Sequence, residues 1–235
     1  MFIKINLDIT MNSLTFKALR GFATLVIALG ILIFLPAWTF NYPQGWLYWS
    51  VFTISSLWGT LYLLKKDPEL ISRRLKAGPK AEKEKTQKII QAFSGILTVL
   101  TLGFSSLDHR FGWSNVPFYI SVITYFLVLV GYFIVYKVFM ENSYAASVVE
   151  VSSGQKVIST GPYSVVRHPM YAGSSMMYVF SPLALGSYWG LILSFCLFLN
   201  ITLRLVNEEK FLIKNLPGYS EYMQKVRWRL VPYVW

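Results

Sequence analysis

Residues 170–203 read MYAGSSMMYVFSPLALGSYWGLILSFCLFLNITL, an apolar run without one charged side chain. A single helical crossing of a bilayer takes about 20 apolar residues, so this run exceeds one span. Pro182, Gly186 and Gly190 interrupt it near the middle. Polar, basic segments flank it on both sides: residues 141–167 before it, with Lys156 and Arg167, and a tail after it with Arg204, Lys210, Lys214, Lys225, Arg227 and Arg229. Lys and Arg keep short loops in the cytoplasm, and one crossing would force the basic tail outside. The run therefore reads as a helical hairpin that goes out and back, turning near residues 186–190. Its arms are short enough to tilt or to span incompletely.

Outward from the hairpin, the rest of the chain has the same character. Residues 18–38, 46–64, 89–107 and 117–139 are each long and apolar enough to cross, and Trp38, Trp46, Trp113 and Tyr136 flank them as interfacial anchors. The first follows a basic N-terminal stretch with Lys4, Lys17 and Arg20; its length and the lack of a small-residue cleavage site argue against a signal peptide. Between the second and third, residues 65–88 carry Lys65, Lys66, Arg73, Arg74, Lys76, Lys80, Lys83, Lys85 and Lys88. That loop reads as a cytoplasmic topology determinant and solvated face, also suited to touch anionic membrane lipids. The loops at residues 39–45 and 108–116 are nearly uncharged and should face outward, so both termini are expected in the cytoplasm. The fold class expected is all-α: a polytopic helical membrane protein of four spans plus a C-terminal helical hairpin, one domain over residues 1–235. Residues 1–140 supply the spans, and residues 141–235 the motif, hairpin and tail.

Composition agrees. Of 235 residues, 54% are hydrophobic and only 14% charged, against about a quarter charged in an ordinary soluble domain. The net charge of +11 sits in loops between apolar runs, which makes nucleic acid a poor partner. One cysteine, Cys196, and two histidines, His109 and His168, are too few ligands for a His/Cys metal site, so no metal is expected. His109 and the aromatic and Met residues of the hairpin read as interfacial polarity, packing and lipid contact.

The polar chemistry gathers where the hairpin starts and ends. Residues 161–173 read GPYSVVRHPMYAG. Gly161-Pro162 signals a turn, and Pro169 pushes His168 to an extended conformation while suiting the first turn of a helix. The free amides behind Pro169 then offer a seat for a carboxylate or phosphate beside Arg167 and His168. The bland alternative has Arg167 snorkelling, His168 capping and Tyr171 anchoring in the headgroups. At the far end, Asn200, Arg204, Asn207 and Glu208 fall three and four apart, followed by Glu209. They form either a polar stripe facing a watery cavity or a surface Arg204–Glu208 pair.

Together these residues resemble the isoprenylcysteine carboxyl methyltransferase family and the related membrane phospholipid methyltransferases. The resemblance lies in Gly-Pro-Tyr-x-x-x-Arg-His-Pro-x-Tyr at residues 161–171, in Glu208-Glu209, and in Tyr219-x-x-Tyr222 and Pro232 in the tail. It covers about residues 142–232. It implies S-adenosyl-L-methionine as cofactor at the cytoplasmic face, bound by Gly161, Tyr163, His168, Pro169, Tyr171, Glu208 and Glu209. Arg167, Arg204 and Glu208 are the expected catalytic groups. The implied acceptor is a lipophilic small molecule or lipidated substrate entering sideways between helices. A prenylcysteine-type carboxylate needs no base and could be oriented by Arg204 or Arg167, whereas an amine or hydroxyl would need Glu208 as base. Two rivals stand beside this reading. An NADPH-dependent sterol or steroid reductase shares Arg-His-Pro-x-Tyr and an acidic pair, but its fourth position is expected to be Asn where this chain has Met170. The other rival is a scaffold that has lost activity.

Overall fold

The computed structural model describes the backbone of residues 2–235 and the side chains from Asn12 onward. It runs α1 (Phe2–Ala37), α2 (Pro43–Lys66), α3 (Pro68–Leu75), α4 (Lys85–Phe111), α5 (Phe118–Glu141), a 3-10 turn (Gly161–Ser164), α6 (Pro169–Ala184), α7 (Gly190–Asn215) and α8 (Tyr219–Lys225). No strand occurs among the described residues. The fold is all-helical and polytopic. Asn12–Ala37, α2, α4, α5 and α7 are long and apolar enough to cross a membrane, and the four expected N-terminal spans fall on α1, α2, α4 and α5, to within one residue at their ends. The first helix starts well before its expected span, so Lys17 and Arg20 are helical; the Lys4 side chain lies outside the described residues.

The hairpin is present as α6, a tight turn at residues 185–189, and α7, but its arms are unequal. With 16 residues, α6 is about 24 Å long, short of the roughly 30 Å hydrocarbon core. Pro182 lies in its last turns, and the left-handed Gly186 (φ 80°) follows. The 26 residues of α7 give about 39 Å, enough to cross and emerge.

Hydrogen bonds sort the loops into two ends. At one end, Tyr42 Oη donates to Leu185 O at 2.5 Å, Ser187 Oγ to Asp108 Oδ2 at 2.5 Å, and Tyr188 N to Ser114 Oγ at 3.0 Å. This end joins the α1–α2 loop, the α4–α5 loop and the hairpin turn. At the other end, Arg73 Nη1 donates to Ser143 O at 2.5 Å and Arg74 Nη1 to Ala145 O at 2.9 Å. With Arg167 N donating to Trp228 O at 2.8 Å, the basic loop, the connection after α5 and the tail share one end, as an out-and-back hairpin requires.

The hairpin is fastened to α5 by contact of main chains. A Cβ on Gly131 would come 2.6 Å from Gly173 O, and one on Gly173 would come 2.7 Å from Gly131 O. Small residues let helices approach this closely where no hydrophobic effect drives association. On the other arm, Asn200 Nδ2 donates to Ile90 O at 2.9 Å and to Ser94 Oγ at 2.8 Å, tying α7 to α4. Asn200 is therefore structural.

Candidate active site

Local sequence rules build the entry to α6. The 3-10 turn starts at Gly161, whose φ of 55° suits glycine. A Cβ there would also crowd the Glu141 carboxylate, itself bonded to Thr160 Oγ1. Tyr163 points inward and its Oη accepts from Asn142 Nδ2 at 2.8 Å. Burial pushes the Tyr163 phenol up to about 12, against the opposing pull of that Asn142 bond. His168 precedes Pro169 in a non-helical conformation and makes no side-chain cap. The first amides of α6 are thus left for another acceptor.

The tail closes over this entry. Arg167 N donates to Trp228 O at 2.8 Å and His168 N to Arg229 O at 3.0 Å. Leu216, Tyr219, Tyr222 and Val226 are buried together, with Val157 and Tyr163 against them, and Tyr222 Oη donates to Tyr163 O at 2.7 Å. Burial raises the phenol pKa values of both Tyr219 and Tyr222. Tyr219-x-x-Tyr222 thereby places one ring on each half of the motif, and Tyr219 Oη lies 3.4 Å from His168 Nε2.

The two acidic residues have separate roles. Glu209 is 3% exposed. Its Oε1 accepts from Arg167 Nε at 2.7 Å and lies 3.3 Å from His168 Nε2, while its Oε2 accepts from Arg229 Nε at 2.7 Å. Arg167 also donates through Nη1 to Val226 O and Arg227 O. This cluster joins motif, α7 and tail, and Arg167 spends its Nε and Nη1 donors on it. Glu208 faces the other way. Its Oε2 accepts from Tyr171 Oη at 2.5 Å, and its Oε1 takes no donor among the described residues.

Arg204 extends the second cluster. Its Nε donates to Tyr171 Oη at 3.0 Å, and its Nη2 donates to Glu82 Oε1 at 2.6 Å and Ser147 O at 3.2 Å. The surface pairing of Arg204 with Glu208 does not form. Glu82 is 2% exposed, which corrects the reading of residues 65–88 as merely a solvated face. Asp67 starts α3 by accepting Leu70 N at 2.9 Å, α3 packs Leu70 and Ile71 inward, and the chain then turns Glu82 into the site. Among the nine basic residues of this loop, four acids (Asp67, Glu69, Glu82 and Glu84) were the only signal available, and nothing in their spacing singles out Glu82.

These groups border one large cavity of about 1170 Å³. Its polar end is lined by Tyr163, Arg167, His168, Pro169, Tyr171, Arg204, Glu208, Tyr219 and Tyr222, and its apolar end runs between α1, α2 and α5 past Phe22, Leu25, Phe52 and Phe133. Drug-sized ligands occupy pockets of about 300–1,000 Å³, so the space suits a polar molecule and an apolar one side by side. Gly161 and Glu209 are not on its wall.

Residues 119–217, from α5 through the hairpin to the end of α7, match the family model described as phospholipid methyltransferase. Over these residues the chain is similar to the phospholipid methyltransferases. That family includes the isoprenylcysteine carboxyl methyltransferases, which supports the kinship suggested by Arg167-His168-Pro169 and Glu208-Glu209. The match supports a membrane methyltransferase in general terms. No curated protein matches the chain.

Proposed function

We propose that this protein moves a methyl group from S-adenosyl-L-methionine to a lipophilic acceptor, at the cytoplasmic face of the membrane. The observation that carries the reading is the single cavity with Glu208, Tyr171 and the start of α6 at one end and apolar helices at the other. The residues fit the cofactor's chemistry. The half-buried Glu208 has Oε1 available for an ammonium or ribose hydroxyl, and the uncapped first turn of α6 suits a carboxylate. Tyr163, Tyr219 and Tyr222 offer aromatic faces beside them.

When bound, S-adenosylmethionine supplies a methyl group on a sulfonium, open to in-line attack. The chain's task is then mostly positioning. Arg204 holds the Tyr171 hydroxyl from one side and Tyr171 holds Glu208 from the other, fixing that carboxylate's direction. Arg167, His168, Arg229 and Glu209 act behind this wall as positioning residues that pin the start of α6 to α7 and the tail. A carboxylate acceptor is nucleophilic without help, whereas an amine acceptor must lose a proton, for which Glu208 Oε1 is the nearest free base.

The test is isothermal titration of the detergent-purified protein with S-adenosylhomocysteine and, separately, with NADPH. Saturable binding of the first and not the second is expected. The reverse would select the reductase reading. Tracing a labelled methyl group from S-adenosylmethionine into lipid and protein extracts then identifies the acceptor.

A further inference from the structure

The cavity wall holds one more cation that neither the motif nor the matched segment includes. Arg74, on α3, borders the cavity where its polar end meets its apolar end. Its Nη1 donates to Ala145 O at 2.9 Å and lies 3.7 Å from Met170 Sδ, and its guanidinium stacks 4.5 Å from the centroid of Phe139. Met170 directly precedes Tyr171, so Arg74 stands one residue from the Tyr171–Glu208 pair. Its surroundings lower its pKa to about 10, burial being the first cause, while the nearby hydroxyls of Tyr178 and Tyr163 pull the other way. It is still cationic at neutral pH.

The other buried and half-buried arginines around the cavity each have a carboxylate, whereas Arg74 is half-buried without one among the described residues. Arg167 and Arg229 share Glu209, and Arg204 has Glu82. The acids nearest in sequence to Arg74 are also engaged: Glu69 pairs with Arg73 and Asp67 caps α3. Arg74 has no carboxylate partner among the described residues, and its Nε and Nη2 have no hydrogen-bond partner there. A cation drawn into a poorly solvated wall without a counter-charge costs free energy that an incoming anion recovers. A tie to Ala145 O alone needs one donor, not a guanidinium.

We propose that Arg74 is the seat for an oxyanion headgroup, carboxylate or phosphate, on the lipophilic acceptor. Its two remaining donors have the fork geometry that such a group accepts. The acyl or prenyl chain would lie along the apolar arm between α1, α2 and α5. This assignment rests on the proposed reading that the cavity admits a lipophilic acceptor, and it adds that the acceptor is anionic.

The probes are a radiolabelled N-oleoylglycine (carboxylate) in neutral detergent at pH 7.5, with competition by oleoyl lysophosphatidate (phosphate) and by monoolein (uncharged). Wild-type protein should prefer both anionic probes over monoolein by about tenfold or more, the scale of a hydrogen bond to a charged group. Arg74→Gln should abolish that preference, Arg74→Lys should keep part of it, and S-adenosylhomocysteine affinity should stay within about twofold in both, showing an intact fold. Which anionic probe ranks first tells a carboxylate acceptor from a phosphate one. Equal binding of monoolein by wild type, or a preference that survives Arg74→Gln, overturns the seat. Failure of S-adenosylhomocysteine to bind wild type, with the anion preference present, would sink the methyltransferase reading and leave Arg74 standing.

Discussion

Arg204 Nη2 lies 2.6 Å from Glu82 Oε1, although 122 positions separate the two residues. Through this pair the basic loop between the second and third spans becomes part of the cavity wall, and the guanidinium that holds Tyr171 is itself held. Glu82 also accepts from Val149 N at 3.1 Å, so it fastens the connection after α5 as well.

Glu82→Gln should therefore be among the most damaging changes outside the matched segment. Removing one partner of a buried pair costs about 3–5 kcal/mol, because the other charge is left uncompensated. The expected outcome is a fall of several degrees in the melting temperature in detergent, together with loss of methyl transfer. A stable, active Glu82→Gln protein would mean that Arg204 does not depend on this carboxylate.

How far the architecture could be read beforehand depended on the range of the interaction. Spans were legible because about 20 apolar residues in a row have few other uses, and the hairpin because basic segments stand at both ends of residues 170–203. The meeting of Arg167–Tyr171 with Glu208–Glu209 followed from the hairpin, since its two arms end at the same surface. Division of labour between Glu208 and Glu209 was not legible: adjacent helical positions face different directions, but which one meets Arg229 depends on where the tail returns. Nor could the pairing of Arg204 with Glu82 be seen, because ion pairs leave no periodic trace in sequence and nothing marks Glu82 out from Asp67, Glu69 and Glu84 in the same loop.

That division makes the two acids separable by experiment. Glu209→Gln removes a charge from a buried cluster of Arg167, His168 and Arg229, so it should lower the melting temperature and loosen the tail. Glu208→Gln removes only a half-buried carboxylate with a single protein donor. It should leave stability within about 1 kcal/mol and weaken S-adenosylhomocysteine about tenfold, on the scale of one charged hydrogen bond. Thermal unfolding and titration of the two variants side by side check this; identical signatures would contradict the assignment.

The contact of α5 with α6 predicts a contrast between glycines. Gly173→Ala sets a methyl 2.7 Å from Gly131 O, backbone that cannot swing away. It should part the helices, lower stability by about 1–3 kcal/mol as overpacking does, and disturb the α6 entry that carries Tyr171. Gly95→Ala, on α4, meets nothing within 4 Å and should be neutral, or stabilising by up to about 1 kcal/mol from helix propensity. Melting temperatures of both in the same detergent decide it.

Orientation follows from the sorting of loops into two ends. Cys196 is the single cysteine, so a Cys196→Ser background permits site-directed labelling. Lys80, Asn115 and Lys225 are exposed in the basic loop, the α4–α5 loop and the tail. The excess of Lys and Arg at the first and last of these predicts that they face the cytoplasm. In intact cells, a membrane-impermeant maleimide should react with Asn115→Cys and spare Lys80→Cys and Lys225→Cys until the membrane is opened. Labelling of Lys80→Cys and Lys225→Cys from outside would invert the orientation and take the candidate cofactor pocket out of the cytoplasm. Labelling of only one of them would mean that α6 and α7 do not return the chain to the side it left.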